Sequence, residues 1–338
     1  MYRGYNVVVC TAAGRRRYMR YLIPYILDCN IVDRYDIWVH THNCADIEFF
    51  KRLADKYSKI NLVWQPDGIV GGNETINAFY RNCLDNDAIY FKIDDDVIWM
   101  EEDAIRKMLD FRIDNPDAFL VSPMIVNNPV CSYLLQVYGK LPIRQYQMAN
   151  PLGAIFWKSG EFALELHNWF LAKNFYKDID KLHTGSHPIG ANRLSINAIM
   201  WFGKEMASLQ GEVPGDDEEF LSCIYPTRKG MVNSVNGDCI MIHYAFFTQR
   251  AFLDSTDILS RYEEIQPQAE KTSQKSVNEI IEQIDAKESI YLSLPSPYQR
   301  PIQPLHKRSF KYYIWKLCPS WIWLKIRPEK YVPFIEDK

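Results

Sequence analysis

The chain has 338 residues, 47% hydrophobic and 24% charged, with a formal net charge of −3. That size and composition suit one large or two ordinary globular domains and exclude a disordered or low-complexity chain. The slightly acidic balance gives no overall pull towards nucleic acid, so any basic footprint must be local.

The opening "MYRGYNVVVCTAAG" lacks the apolar stretch of a signal peptide. No uninterrupted apolar run approaches the length of a membrane-spanning helix. The eight cysteines form no CxxC pair and no zinc-like spacing, and several lie in apolar contexts. Reduced, buried thiols in a cytoplasmic protein are therefore expected.

In chain order, strand-like and helix-like segments alternate through the first half. "NVVVC" is short and β-branched and reads as a buried strand. "RYMRYLIPYILDC" has helical spacing, with Pro24 a kink or break. "YDIWVHTH" is a second strand. "ADIEFFKRLADKYS" is an amphipathic helix that Asp46 is placed to cap. "INLVWQ" is a third strand. "NETINAFYRNCLDN" reads as a helix entered through "GIVGGN". "AIYFKID" is a fourth strand, and "EEDAIRKMLDFRIDN" a helix with acids in its first turn.

The middle of the chain is less regular and rich in aromatics. "AFLVSPMIV" and "GAIFWKSG" read as strands, and "GEFALELHNWFLAKNF" as a helix. "GDDEEFLSCIYPTRKG" reads as a loop entering a short helix, and "GDCIMIHYAFF" as a strand ending near His243. Beyond residue 253 come a polar amphipathic helix, "SVNEIIEQIDAKESI", and a Pro-rich stretch. The tail mixes Lys307, Arg308, Lys311, Lys316, Lys325, Arg327 and Lys330 with Trp315, Trp321 and Trp323. The pattern predicts an α/β fold with a mainly parallel central sheet flanked by helices and a C-terminal helical and extended tail.

Three features carry candidate chemistry. Asp94, Asp95 and Asp96 follow the apolar strand "YFKI". Adjacent carboxylates repel each other, and a hard divalent cation such as Mn²⁺ or Mg²⁺ would relieve them. In such sheets ligands bind at the carboxyl ends of strands. The competing reading is an acidic helix N-terminus favouring the dipole. Asp216, Asp217, Glu218 and Glu219 form a second cluster, able to supply a general base or merely to cap a helix. His243, after an apolar strand, is a metal donor or a hydrogen-bonded core histidine.

In this order the three features resemble the metal-dependent GT-A glycosyltransferases over roughly residues 5–250. In that family a nucleotide-binding half ends in a strand carrying a DXD motif, which Asp94-Asp95-Asp96 fits. A second motif of the form (E/D)-D-x-x-F lies in the acceptor half, and "DDEEF" fits it with Asp217 at the base position. A histidine near the end of the catalytic domain completes the metal site, as His243 would. The resemblance implies a GT-A-like, Rossmann-like catalytic domain over 1–253, with a donor half (1–100) and an acceptor half (101–253), followed by a tail (254–338).

By the same resemblance Asp94 faces the donor and joins Asp96 and His243 at the metal, and Asp95 supports them. Asp217 deprotonates the acceptor hydroxyl. Thr11, Ala13 and Arg15, after the first strand, and Asp67 and Arg81 are candidates for the nucleotide. The donor would be a UDP-, GDP- or CMP-sugar, and the acceptor a glycan or lipid-linked glycan of surface polysaccharide or lipooligosaccharide assembly. Asp217 favours inversion, but retaining enzymes of this fold also carry DXD, so the stereochemistry stays open.

The basic-aromatic stretch 306–334 suits either contact with an anionic membrane at its inner face or packing on the catalytic domain. Nucleic acid is not an expected partner.

Other patterns point elsewhere. His40 and His42 share a strand face, but no third ligand is evident, so packing is expected. His183 and His187 sit in loop composition. Gly71 to Asn73 lacks the phosphate-loop spacings. A DxDx[TV] phosphatase is disfavoured because Ile98 occupies the fifth position from Asp94. Trp157, Trp169, Trp201 and Asn192 are sugar contacts or core. Two rivals remain: a nucleotidyltransferase making a nucleotide sugar, for which "TAAGRRR" is a poor version of the expected first loop, and a non-catalytic carbohydrate-binding protein.

Overall fold

The computed structural model describes residues 1–302 apart from 153, 191 and 267–271. The basic-aromatic tail expected at 306–334 lies outside the described residues. Among the described residues nine strands form one sheet. They are β1 (Asn6–Ala13), β2 (Arg34–Val39), β3 (Ile60–Trp64), β4 (Ala88–Ile93), β5 (Val97–Met100), β6 (Ala118–Val126), β7 (Ser186–Ile189), β8 (Ala198–Phe202) and β9 (Val232–His243). Their order is β3-β2-β1-β4-β8-β6-β9-β5, with β7 also on β9.

β1 to β4 are mutually parallel. β8 runs antiparallel between β4 and β6, and β9 returns parallel to β6. β5 and β7 pair antiparallel with β9. This is the expected mainly parallel α/β sheet. Helices cover both faces, so inner strands read as continuous apolar runs: every residue of β4 is buried, Lys92 included.

The helix Arg16–Asp28 runs through Pro24 without a break. Proline supplies no N–H for the carbonyl of Arg20, one turn earlier. The Gln274 amide, on the helix Thr272–Asp285, donates to that carbonyl at 3.2 Å instead. That helix buries Val277, Ile280, Ile281 and Ile284. The helix Cys44–Lys56 is capped by Asn43, whose side chain accepts from the N–H groups of Ala45 and Asp46. Asp46, the expected cap, instead lies in the first turn and pairs with Arg16 at 2.7 Å.

Other segments depart from expectation. "NETINAFYRNCLDN" forms two 3₁₀ segments, Asn73–Thr75 and Asn77–Asn82, rather than an α-helix. Thr75 Oγ1 donates back to Gly71 and Gly72, and Asn77 Nδ2 donates to Val213 and Gly215, so side chains capture the local geometry. "GAIFWKSG" is a helix, Ala154–Lys158, rather than a strand. Its Phe156 and Trp157 carbonyls accept from Gln249 and Thr248 side chains, not from a neighbouring strand. Short apolar runs do not distinguish the two states by periodicity. The helix Ala104–Asp114 has no acid in its first turn and follows Asp103 in left-handed backbone, φ 60°.

Among the described residues Cys10, Cys44, Cys83, Cys131 and Cys239 are buried, whereas Cys29 and Cys223 are half-buried rather than buried as expected. Among the described residues no helix is long and apolar enough to cross a membrane.

Candidate active site at the carboxyl edge of the sheet

Because β1, β4, β6 and β9 point the same way, their carboxyl ends meet at one edge. The chain winds outward from β1 to β2 and β3, then returns to place β4 on the other side of β1. The gap between β1 and β4 is thus a topological switch point, where open α/β sheets bind ligands. Arg15 leaves β1 there, and Asp94, Asp95 and Asp96 leave β4. A cavity of about 400 Å³ opens at this edge, lined among others by Arg15, Asp94, Asp96, Asp217 and His243. Residues from all three sequence motifs therefore face one space.

The triplet is a turn between β4 and β5, so the helix N-terminus alternative does not apply. Its backbone is pinned from both sides. Asp94 N–H donates to Asn197 at 2.8 Å, and Tyr244 N–H donates to the Asp96 carbonyl at 2.9 Å. Each carboxylate has a cationic partner. Asp94 accepts from buried Lys92 at 2.5 Å and from Asn197 Nδ2 at 3.4 Å. Asp95 accepts from Gly14 N–H at 3.0 Å and from both arms of Arg15. Asp96 Oδ2 meets Arg15 and Arg250, each at 3.0 Å. Burial pushes the Asp94 carboxyl up, against the attraction of Lys92. Burial acts on Asp96 too, but Arg15, His243 and Arg250 outweigh it and hold that carboxyl below its ordinary range.

His243 ends β9 and is buried. Its Nδ1 faces the Asn127 carbonyl at 3.1 Å, which can only accept, so Nδ1 carries the proton. Asn127 has φ 64°, a left-handed conformation that asparagine tolerates better than most residues. Its Nδ2 donates to the Tyr244 carbonyl and to Gln249 Oε1. His243 Nε2 faces Asp96 Oδ1, 3.5 Å away, and when the imidazole is neutral it presents a lone pair there. One nitrogen and one carboxylate oxygen facing each other suit a divalent cation that completes its shell with phosphate and water. Among the described residues no group of three or more His, Cys, Asp or Glu is arranged to hold a metal ion. Asp94, the third expected ligand, is engaged by Lys92 and Asn197.

The second acidic motif begins a helical run from Asp217 to Lys229 containing one π turn, Phe220–Ile224. Asp216 caps it, accepting from Glu219 N–H at 3.0 Å. Asp217 is buried; its Oδ2 accepts from the Tyr80 hydroxyl at 3.2 Å and its Oδ1 from Glu218 N–H at 2.9 Å. Burial raises its pKa, against Lys92 and Tyr80. Glu218 lines the same cavity and pairs with Arg193 at 2.5 Å. Burial pushes Glu218 up to about 7 despite that arginine.

Several expected positions lie elsewhere. Thr11 and Ala13 are buried, and Thr11 accepts from the Tyr35 hydroxyl. Alternation along β1 turns Ala12, between them, to the cavity. Asp67 and Arg81 pair with each other through two 3.0 Å bonds and line a separate cavity with Thr75 and Glu212. Trp169 and Trp201 are core, whereas Trp157 lines the site.

The side histidines are satisfied locally. His40 bonds Thr75, and His42 bonds Ser296 and the Val70 carbonyl. His183 meets Glu101 and Asp180, and His187 meets Thr184.

Sequence reasoning missed Lys92, Asn197, Arg250, Arg193 and Tyr80. Lys92 left a signal: a lysine inside a strand expected to be buried on both faces needs a carboxylate, and Asp94 is two residues on, on the same face. The others reach the site from distant segments and left none.

No protein-family model matches the chain, and no curated protein matches it. Solved structures similar to it include a 4-diphosphocytidyl-2C-methyl-D-erythritol synthase from Anaerococcus prevotii, at 13% identity and TM-score 0.29, covering 36% of this chain and 57% of that one. A CMP:2-keto-3-deoxy-manno-octonic acid synthetase complexed with CTP is 9% identical, with TM-score 0.39, covering 74% of this chain and 95% of that one. A further 4-diphosphocytidyl-2C-methyl-D-erythritol synthase is 8% identical, also with TM-score 0.39, covering 76% and 100%. Likenesses this distant assign no activity to the chain.

Proposed function

We propose that the protein is a transferase acting on a nucleotide-linked sugar, and specifically a divalent-metal-dependent glycosyltransferase. The observation that supports it is the convergence of Asp96, His243 and Asp217 on one cavity at the switch point of the sheet. Asp96 and His243 would hold Mn²⁺ or Mg²⁺, which when bound would offset the charge developing on a departing nucleoside diphosphate. Asp217 is the proposed general base. It would take the proton from an acceptor hydroxyl, while Tyr80 and the Glu218 N–H fix its two oxygens. Lys92 and Asn197 hold Asp94 towards the donor. Arg15 has reach to a diphosphate once it exchanges Asp95 or Asp96 for phosphate oxygens.

The second reading is a nucleotidyltransferase that makes an activated sugar. In its favour, the loop after β1 does bring a guanidinium, Arg15, to the switch point. Against it, the other two arginines of "GRRR" are committed. Arg16 pairs with Asp46, Asp285 and Glu288, and Arg17 pairs with Asp254. That leaves little free cationic charge for a triphosphate.

Thermal unfolding with UDP, GDP and CMP, with and without Mn²⁺, tests the shared claim. A metal-dependent rise with one nucleotide is expected, and none with any would sink both readings. Product analysis then separates them: nucleoside diphosphate, or CMP from a CMP-sugar, released from a sugar donor marks the glycosyltransferase, and pyrophosphate released from a nucleoside triphosphate marks the rival.

A further inference from the structure

The β9 side of the same cavity is built differently from the rest. Trp157 and Phe246 meet in a tilted pair at 5.0 Å between ring centroids, and Trp157 meets Phe247 edge-on at 5.3 Å. Phe247 is 66% exposed and Leu152 is 56% exposed. All four line the cavity. Single exposed apolar residues are ordinary, but these form a continuous wall next to ionised groups.

The wall is also held in place. Thr248 donates to the Trp157 carbonyl, and buried Gln249 donates to the Phe156 carbonyl at 2.7 Å. Gln249 accepts from Phe246 N–H and from Asn127 Nδ2, each at 3.1 Å. The residue that orients His243 therefore braces the wall as well. A surface fixed this way loses little freedom when a ligand covers it.

The same cavity is lined by Lys92, Asp94, Asn197 and Asp217. Its lining thus combines an aromatic cluster with a group of hydrogen-bonding side chains. A pyranose ring matches both, with a C–H face for the wall and hydroxyls for the polar group. A lipid chain would leave the polar group unpaired. A nucleobase would lie near the β1 side, with Ala12, Asn73 and Ile76, whereas the wall follows the end of β9.

We propose that Trp157, Phe246 and Phe247 form a saccharide subsite in which the acceptor sugar stacks, placing its hydroxyl edge towards Asp217. The acceptor assignment rests on the glycosyltransferase reading, but the stacking of a sugar on this wall does not.

Saturation-transfer NMR on the full chain tests it, using the methyl glycosides of glucose, galactose, mannose and N-acetylglucosamine as probes. Saturation of ring C–H protons of at least one glycoside is expected. Phe247→Ala should weaken that binding by about tenfold, and Phe247→Tyr should retain it. Nucleotide-dependent thermal shifts should stay unchanged in both variants. Trp157→Phe, which keeps an aromatic ring, should retain part of the signal and guards against a folding defect. No saturation with any glycoside, or saturation undiminished in Phe247→Ala, would overturn the subsite. Glycoside binding lost in Phe247→Ala, in a protein that binds no nucleotide, would uphold the subsite and sink the transferase reading alone.

Discussion

Nε2 of His243 faces Oδ1 of Asp96 across 3.5 Å, and the Asn127 carbonyl fixes which nitrogen does so. This carboxylate oxygen and imidazole nitrogen are the pair proposed to hold the divalent cation. His243→Ala is expected to weaken Mn²⁺ binding in the presence of the stabilising nucleotide, measured by calorimetry. Asn127→Ala keeps that backbone carbonyl but disfavours the left-handed conformation that aims it and removes the Nδ2 bonds, so it should weaken the binding, though less than His243→Ala. Asn127→Gly, free to keep the left-handed backbone, should lose less. Equal Mn²⁺ affinity in wild type and His243→Ala would end the assignment.

Asp217→Asn is expected to leave nucleotide binding intact and lower turnover by about 10²- to 10⁴-fold, the range of a general base. A base must be deprotonated, so activity should fall as pH drops through its pKa. Burial raises Asp217 above its ordinary value, which moves that fall upward from the usual carboxylate range. Glu218 is the rival because burial pushes it up to about 7. With Asp217 as base, Glu218→Gln keeps the acid limb of the rate profile. Loss of a limb at about pH 7 in Glu218→Gln would transfer the role to Glu218.

Lys92→Met removes the buried cation beside Asp94. Breaking a buried ion pair costs about 3–5 kcal/mol. Asp94 keeps some solvent contact, its side chain being 28% exposed, so the lower end is expected in denaturant unfolding. A Lys92→Met, Asp94→Asn double variant should recover part of the loss, because the stranded charge goes with it. Full additivity of the two changes would show that the pair is not coupled.

Gln274→Ala should cost about 1 kcal/mol by removing the donor to the Arg20 carbonyl. In a Pro24→Ala background the restored N–H can serve that carbonyl, so the same substitution should cost less. A double-mutant cycle by chemical denaturation reads the coupling. Equal costs in both backgrounds would show that Gln274 does not compensate for Pro24.

Much of the fold was legible because its signals are local. The buried β-branched run of β1 and the alternation of strands with helices in the first half depend on neighbours a few residues away. The misread segments were those whose backbone is claimed by distant side chains. "GAIFWKSG" is helical beside Gln249 and Thr248, and the segment before β4 is 3₁₀ beside Val213 and Gly215.

For the site, the sequence alone located Asp94, Asp95 and Asp96 at a strand's carboxyl end, because alternation and apolar runs mark where a strand stops. It also selected Asp217 and His243 as candidates, by residue type and order. It could not decide which groups neutralise the triplet. Arg15, Lys92 and Arg250 do so, and Arg250 reaches Asp96 from a helix after β9. Only the return of β4 beside β1, and of β9 to the same edge, brings those charges together. Electrostatic pairing acts through distances of a few ångströms, and sequence separation says nothing about them until the sheet order is set.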